Sequence, residues 1–393
     1  MKSPFASFWM AGFECTDQIN ASGHRVDLYE ATQHLARIEA DYDNLRNMQM
    51  TTVREGLQWS RVEYLPYCYD WSAVKKIIIA AAKNNKQVLW DICHFGFPED
   101  LSPLHPQFCN RFVAFCLAFV QMYRSLNMED MLIVTPINEV SFISWLGGEC
   151  AATVPFTSNY GWEVKYKLVE AYIKAVKHMK EMDNRLLILT TEPLINIIPD
   201  NMEDASIVMA AEKKNEEQFQ VWDMLTGKIC QELGGEASLP DIIGCNYYPH
   251  NQWCYPSEVQ VDWQNTSPVK GYKSLSELCR TVMERYKRPI IIAETSFNGE
   301  GKSQWINHVT DECANLLQDG LMLWGICIYP VLNRPDWDAL DYWHDSGIWE
   351  VDPLNGDRRL QDDYAEAINQ CINRLKEIRL QKPAFSGMQA GGL

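Results

Sequence analysis

Short apolar runs alternate along the chain with longer segments in which apolar residues recur at helical spacing. The runs are rich in β-branched residues and are bounded by polar turns, a pattern typical of buried parallel strands. The eight predicted strands lie within residues 7–14, 51–59, 87–95, 131–139, 185–193, 241–249, 289–296 and 321–330. The amphipathic segments predict helices within residues 30–48, 71–85, 106–126, 162–182, 203–233, 274–287, 303–319 and 360–380.

Strands that are each followed by a helix, eight times over, are the pattern of a single (β/α)₈ TIM barrel. A doubly wound open sheet is the structural alternative, but it usually carries a glycine-rich phosphate turn after its first strand, and "AGFECTD" lacks one. No linker or repeat interrupts the alternation, so one α/β domain is predicted over residues 1–380. Residues 381–393 are Gly-rich without periodicity and are predicted to form a flexible tail.

The charge balance narrows the choice of partner. The 393 residues include 35 basic and 52 acidic side chains, a formal net charge of −17 that repels phosphate backbones and anionic membrane surfaces. Nucleic acid and membranes are therefore not expected as partners, and a neutral small molecule is. The sequence leaves the oligomeric state open.

Cysteines and histidines give no sign of a cofactor. The 13 cysteines are scattered, without zinc-type pairing or the dense spacing of a disulfide framework, and are expected to be reduced core thiols. No HxH follows the first predicted strand, so neither a metal nor an organic cofactor is predicted. The N-terminal segment lacks a long apolar stretch, and a cytoplasmic protein is expected.

Acidic residues stand at the ends of several predicted strands, where barrel enzymes hold their active sites. Glu139 follows Asn138 in "TPINEV", and Glu294 closes the strand in "IIIAETS". Either carboxylate alone could simply accept N–H groups at a helix start. A pair from different strands could instead serve as proton donor and nucleophile of a retaining glycosidase, which needs the two carboxyl groups about 5 Å apart. The other candidates are Glu14, Glu55, Asp91 and Glu192, with Glu192 in "TTEP" third in rank.

Further motifs, in the same order along the whole chain, resemble those of family 1 glycoside hydrolases. The two glutamate segments are similar to the family's T-(L/F)-N-E-P and (T/S)-E-N-G. Residues 42–62 follow its helix, strand and W-S-R element, "ICHFGFP" is similar to H-W-D-L-P, and "DIIGCNYYPH" is similar to D-F-(I/L)-G-(I/L)-N-Y-Y. "GIWEVD" resembles the closing G-(L)-x-x-V-D. The chain is identified as a divergent member of this β-glucosidase-like group.

The resemblance implies a role for each matching residue. Glu139 would be the acid/base and Glu294 the nucleophile, supported by Arg54, Asn138 and Tyr248. Arg54 taken alone could equally be a structural partner of Glu55 or Asp91. The resemblance and the aromatic pattern imply a sugar-binding set made of Gln18, His94, Asn246, Trp324, Asp336 and Trp337, with Asp336–Trp337 in "RPDW" the nearest match to the family's Glu-Trp pair.

The predicted function is that of a retaining β-glycosidase acting on a small neutral β-glycoside through a covalent glycosyl-enzyme. Phosphorylated glycosides are less favoured, since Arg334 is the only basic residue evident in the last loop. One alternative is an endo-acting or transglycosylating enzyme of the same clan of barrels. Another is a carbohydrate-binding pseudoenzyme that kept the barrel and lost turnover.

Overall fold

The structure, a computed structural model, describes residues 2–266 and 269–381. Eight strands form its centre. Their side chains are buried on both faces of the sheet, as expected where helices cover the outer face. The strands are β1 (Trp9–Gly12), β2 (Thr52–Gly56), β3 (Gln87–Cys93), β4 (Leu132–Ile137), β5 (Leu186–Pro193), β6 (Ile242–Asn246), β7 (Ile290–Thr295) and β8 (Leu323–Ile328).

The strands pair in chain order, and β8 closes on β1, so the sheet is a closed barrel. Every pairing in the barrel is parallel; for example, Met10 is aligned with Thr52 on one side and with Cys327 on the other. The predicted (β/α)₈ barrel is confirmed, and the doubly wound open sheet is wrong. All eight carboxyl ends meet at one rim, which we call the mouth.

Inward-facing apolar side chains fill the barrel below the mouth. Met10, Leu89, Ile133, Ile242 and Ile291, from five different strands, belong to one buried cluster. The opposite faces of the strands join a larger core with the surrounding helices. Because the lower barrel is packed with side chains, a ligand can enter the barrel only from the mouth.

The helices cover the outside of the barrel. They are α1 (Leu28–Ala31), α2 (His34–Asn44), α3 (Trp59–Val62), α4 (Ser72–Lys83), α5 (Phe108–Ser125), α6 (Val140–Gly148), α7 (Gly161–Met182), α8 (Ala205–Glu217), α9 (Gln220–Leu225), α10 (Leu275–Tyr286), α11 (Lys302–Gln318) and α12 (Asp362–Gln381). In the part of the chain that the structure describes, every helix is too short or too polar to span a bilayer.

Apart from the four-residue helices α1 and α3, the structure differs from the predicted helices in two places. The amphipathic segment 203–233 is divided between α8 and α9, because the Gln218 side chain accepts the Ile195 N–H (3.1 Å) and donates to the Asn215 carbonyl (2.8 Å) at the break. Helix α6 was not predicted. Its nine residues carry no charged side chain, so the segment lacks the amphipathic pattern from which a helix is predicted.

Short two-stranded sheets lie in the loops. They are Glu63–Leu65 with Cys68–Tyr69, Asn196–Pro199 with Gln252–Tyr255, Arg334–Pro335 with Trp343–His344, and Trp349–Val351 with Arg358–Leu360. Except for Gln381, which ends α12, the predicted tail 381–393 lies outside the described residues.

Candidate active site

Glu294, near the end of β7, lies against a buried guanidinium. Arg54 of β2 donates from Nη1 to Glu294 Oε1 (2.7 Å), and the Tyr248 hydroxyl donates to Glu294 Oε2 (2.9 Å). Arg54 is itself fixed by Asp91, whose two oxygens lie 3.1 and 2.8 Å from Nε and Nη2. Each oxygen of Glu294 therefore has a donor, and its charge has a fixed counter-ion.

Glu139 follows β4 and has no such counter-ion among the described residues. Asn246 Nδ2 donates a hydrogen bond to its Oε1 (2.9 Å). Burial and the nearby charge of Glu294 raise the pKa of Glu139 well above its ordinary value. The two glutamates thus meet different environments: donors and a counter-ion surround Glu294, whereas the surroundings of Glu139 favour its acid form.

The backbone at Glu139 is left-handed, with φ of 46° and ψ of 59°. Residues with a side chain rarely adopt this conformation, and it costs on the order of 1–3 kcal/mol. The Glu139 N–H donates to the Thr191 carbonyl (3.0 Å) on β5, and α6 starts at the next residue. The strained turn places the carboxylate between the end of a strand and the start of a helix.

Asn138 links the two halves of the site. Its Oδ1 accepts from Arg54 Nη2 (2.8 Å) and from the Thr191 hydroxyl (2.7 Å), which fixes the direction of the amide. The amide Nδ2 is buried and has no hydrogen-bond partner within residues 2–266 and 269–381. A donor held in place in this way can bind a ligand hydroxyl.

Three other predicted site side chains also carry a buried polar atom without a partner. Such atoms are uncommon in folded proteins, because burying an unpaired polar group costs about 1–3 kcal/mol. A polyhydroxylated ligand offers both donors and acceptors and could pair with them. They are Gln18 Oε1, Asn246 Oδ1 and Trp337 Nε1.

His94 is part of a buried charged network that also holds Arg54. Its Nδ1 lies 2.8 Å from Asp91 Oδ2, and its Nε2 lies 3.2 Å from the Tyr329 hydroxyl. Burial opposes protonation, but the hydrogen bond to Asp91 and the charge of Glu14 outweigh it and raise the pKa of His94. His94 lies close to the proposed nucleophile and could turn Nε2 from Tyr329 to a sugar hydroxyl.

Aromatic rings lie close to Glu139 and His94. The Phe95 ring lies 5.3 Å from the Trp337 ring and 5.6 Å from the Phe142 ring, all centroid to centroid. Phe142 also contacts Trp145, whose side chain is 52% exposed. We call Phe95, Phe142, Trp145 and Trp337 the aromatic wall; it presents an apolar surface beside the carboxylates.

Trp324 is not near the mouth. It is the second residue of β8 and packs against the cluster that fills the lower barrel. The prediction that it forms an aromatic floor for a sugar is wrong, because a strand delivers to the mouth only the residues at its carboxyl end.

Glu55 differs from its predicted position, whereas Asp336 lies in the predicted loop with partners of its own. Glu55 follows Arg54 on β2 and therefore points to the opposite face, where it accepts hydrogen bonds from Tyr42 (2.8 Å) and Tyr29. Asp336 lies in the loop after β8, but it accepts the N–H groups of its own turn, and its Oδ2 lies 2.8 Å from His344 Nε2. Its carboxylate has about four acceptor positions, so it can still accept from a sugar hydroxyl, and the sugar-binding role of Asp336 stays a prediction.

Tyr329 is the residue that the sequence reasoning missed. It follows β8 directly, its ring lies 5.5 Å from the His94 ring, and the Arg54 guanidinium lies 5.0 Å over it. A Cβ on Gly12 would lie 2.1 Å from this ring, so the glycine makes room for it. Its place at the carboxyl end of the last strand was the available signal.

One group among the described residues has metal-type ligands, namely Cys15, Asp91 and His94, whose ligand atoms lie within 4.8 Å of one another. Asp91 is already paired with Arg54 on two sides, and a guanidinium at that distance opposes a second cation. We therefore assign these residues to the charged network.

No family model and no curated protein matches the chain. Solved structures do match it over nearly its whole length. A β-glucosidase from Exiguobacterium marinum has a TM-score of 0.75 at 14% identity and covers 95% of this chain and 100% of its own. A family 1 β-glucosidase from Thermotoga maritima has a TM-score of 0.72 at 14% identity, covering 95% and 97%.

A psychrophilic β-glucosidase from Micrococcus antarcticus gives a similar result, with a TM-score of 0.72 at 15% identity over 93% of this chain and 96% of its own. At such identity the shared property is the arrangement of strands and helices. The resemblance seen in the sequence motifs is thus confirmed at the level of architecture: the chain has the fold of the family 1 β-glucosidases.

Proposed function

We propose that the protein is a retaining β-glycosidase that hydrolyses a small neutral β-glycoside through a covalent glycosyl-enzyme. The observation that carries the proposal is the unequal environment of two buried glutamates on different strands. Glu294 is held by Arg54 and Tyr248, whereas burial and a neighbouring negative charge raise the pKa of Glu139. Two carboxyl groups with separated protonation states are the requirement for this chemistry.

In the first step, Glu294 attacks the anomeric carbon and forms an ester bond to the sugar. Glu139 transfers its proton to the glycosidic oxygen as the bond to the aglycone breaks, so the aglycone leaves as a neutral alcohol. Arg54 and Tyr248 orient the attacking carboxylate through the two hydrogen bonds described above. Asn138 Nδ2 would donate to the 2-hydroxyl, a contact that strengthens in the transition state.

In the second step, Glu139 takes a proton from a water molecule, and the water oxygen attacks the anomeric carbon. The ester bond breaks, Glu294 is released as a carboxylate, and Glu139 is again an acid. Burial is the largest cause of the raised pKa of Glu139, and the charge of Glu294 adds to it; once Glu294 is esterified it carries no charge, so the pKa of Glu139 falls. Glu139 can therefore serve as a base in this step.

The surroundings support a sugar substrate with an apolar aglycone. The unpaired atoms of Gln18, Asn138, Asn246 and Trp337 suit hydroxyl groups, and the aromatic wall beside Glu139 suits an aryl or alkyl leaving group. A structurally similar β-glucosidase from Thermotoga maritima has been solved in complex with glucoimidazole, a sugar-like ligand.

The first prediction tests Glu294. The wild-type protein should hydrolyse at least one member of a panel of aryl β-glycosides, and Glu294→Ala should lose about a thousandfold or more in kcat. Added azide should restore turnover of the variant and give the α-glycosyl azide, because azide attacks from the face that Glu294 occupied. Product configuration can be read by NMR.

Glu300→Ala, which alters an exposed glutamate farther along the same chain, is the matched control and should retain wild-type turnover. Undiminished activity of Glu294→Ala would remove this residue from the reaction. A wild-type protein that binds sugars but turns over none of the panel would instead favour the pseudoenzyme. Oligosaccharide products from long substrates would favour the endo-acting or transglycosylating alternative.

A further inference from the structure

Glu192 is a third buried carboxylate near the proposed acid/base. It lies near the end of β5, its side chain is fully enclosed, and it is not needed for either chemical step. Burial raises its pKa to about 7, which shows that the charged form is costly at this position. A costly acid beside the catalytic centre calls for a physical reason.

The contacts of Glu192 are with the backbone that carries Glu139. Its Oε2 accepts the Ser141 N–H (3.1 Å) in the first turn of α6. The preceding residue, Thr191, accepts the Glu139 N–H through its carbonyl (3.0 Å) and donates its hydroxyl to Asn138 (2.7 Å). Two consecutive residues of β5 therefore bind three residues of the acid/base segment, namely Asn138, Glu139 and Ser141.

The sequence of that segment adds a second N–H donor next to that of Ser141. The family motif has proline after the glutamate, and proline at the first position of a helix has no N–H to satisfy. This chain has Val140 instead, so one more buried donor appears at the start of α6. The N–H groups of Ser141 and Val140 both favour the charged form of Glu192 and oppose the rise of its pKa.

We propose that Glu192 is a positioning residue for Glu139, which it holds in its left-handed backbone conformation by accepting the first N–H groups of α6. The inference rests on the proposed function for its catalytic consequence, and on the contacts alone for its structural one. A released α6 would let the Glu139 backbone relax to an ordinary conformation and turn the acid away from the glycosidic oxygen.

Several charged groups face Glu192 and belong to the account of its pH behaviour. Lys165 of α7 attracts it electrostatically and donates to Gln220 Oε1 (2.7 Å), and Glu217 acts on the same lysine. The negative charge of Glu192 contributes to the raised pKa values of Tyr172, on α7, and of Glu139. Removing that charge therefore lowers the pKa of Glu139, whereas removing the acceptor oxygen releases the helix start.

Two variants separate the loss of the Glu192 charge from the loss of its acceptor oxygen. The dependence of the rate on the leaving group shows whether proton donation by Glu139 is affected. Glu192→Gln keeps an acceptor oxygen and should move the alkaline limb of kcat/KM to lower pH with a small loss at the optimum. Glu192→Leu removes the acceptor and should slow alkyl glycosides by about tenfold or more while dinitrophenyl glycosides, which need little protonation, keep their glycosylation rate.

Glu312→Gln is the matched control, because Glu312 also accepts an N–H, that of Ser276 (2.9 Å), at the start of α10. It should leave both the pH profile and the leaving-group dependence unchanged. An equal loss on both leaving-group classes in Glu192→Leu, or a pH profile of Glu192→Gln identical to that of the wild type, would overturn the catalytic part.

A crystal structure of Glu192→Leu tests the structural part without activity. We expect Glu139 to leave the left-handed region, and an unchanged Glu139 backbone would overturn the inference. An inactive wild-type protein would count against the proposed function, but this structural outcome would still decide the role of Glu192. Should Glu192→Leu fail to fold, the structure and pH profile of Glu192→Gln carry the test.

Discussion

At Gly96 the lack of a side chain makes room for a carboxylate from another loop. A Cβ on Gly96 would lie 1.8 Å from Asp17 Oδ1 and 2.2 Å from Asp17 Cγ. In the family motif H-W-D-L-P this position is an aspartate, and here "HFGFP" has the glycine while Asp17 puts its carboxyl in the same space. Burial raises the pKa of Asp17 to about 6, and Ser60 Oγ donates to it (2.5 Å).

Gly96→Ala should therefore lower the free energy of unfolding by about 1–3 kcal/mol, since the new methyl group overlaps the carboxyl group. In an Asp17→Ala background the same change should cost much less, because the space is then free. Urea unfolding of the four proteins gives the coupling energy directly. Additive losses would show that the two positions do not compete for one volume.

Adjacent residues of a strand point to opposite faces of the sheet, and the sequence does not show which face each one occupies. Arg54 and Glu55 are adjacent, yet one enters the barrel and the other enters the outer core. From the sequence, both are predicted near the mouth. Which of two adjacent strand residues faces the barrel interior becomes known only when the neighbouring strands fix the strand's orientation. The sequence offers Glu55 and Asp91 equally as structural partners of Arg54, and the structure shows that the partner is Asp91.

Behind β2, helix α2 and a neighbouring turn enclose a network of ionisable groups. His34 Nδ1 lies 2.8 Å from Asp41 Oδ2, and its Nε2 lies 3.0 Å from Glu55 Oε1. Arg358 donates to both oxygens of Asp41 (2.8 Å each). Burial opposes protonation of His34, but the charge of Glu55 and the bond to Asp41 prevail and raise its pKa to about 9.

The raised pKa makes stability depend on pH. Protonated His34 is favoured by folding, so its contribution is complete below the ordinary value of 6.5 and disappears as the pH rises through about 9. Between these limits the free energy of unfolding should fall by about 3 kcal/mol. Urea unfolding at closely spaced pH values measures the slope.

His34→Gln should be less stable at pH 6 and should lack most of this slope, while His178→Gln, at an exposed position on α7, should keep it. An unchanged slope in His34→Gln would assign the pH dependence to another group. At the scale of elements, then, the sequence predicted the strands well, but it could not show that α2 is anchored to β2 by charges.

Helix α6 marks the other limit at this scale. The eight strands and most helices have a clear period, whereas "VSFISWLGG" is apolar on every side and is only nine residues long. The turn before it depends on tertiary contacts from β5, which no local pattern encodes. The sequence therefore predicted the two glutamates but not the helix that orients one of them.

At the scale of the whole molecule, the net charge of −17 and the carboxylates gathered at the mouth disfavour an anionic ligand. Arg54 is already committed to Asp91 and Glu294, and Arg334 lies 3.6 Å from Glu14. We expect kcat/KM for a 6-phospho aryl β-glycoside to be at least about tenfold below that of the neutral glycoside.

Raising the ionic strength should narrow that difference, because added salt screens the repulsion, and should leave the neutral substrate nearly unaffected. Steady-state rates for both substrates at low and high salt are the measurement. A faster phosphorylated substrate would mean that a cation is available in the site after all.

The barrel was predictable because eight repetitions of one pattern reinforce each other, so an error in any single element does not change the answer. The site was less predictable, because it depends on which end of each strand a residue occupies. Trp324 and Tyr329 lie on the same chain segment, but only Tyr329 reaches the mouth. Spacing within one segment does not distinguish them until the strand bounds are known.

The contact between Glu192 and the start of α6 also has an evolutionary consequence. Valine at position 140 adds a second N–H beside that of Ser141, which Glu192 accepts, so the effect of a substitution at 140 depends on the residue at 192. Replacing a proline by valine before an acceptor stood at position 192 would leave one more buried N–H without a partner. The order in which the two changes can become fixed is thereby constrained, and a return to proline would leave Glu192 with the Ser141 N–H alone to accept.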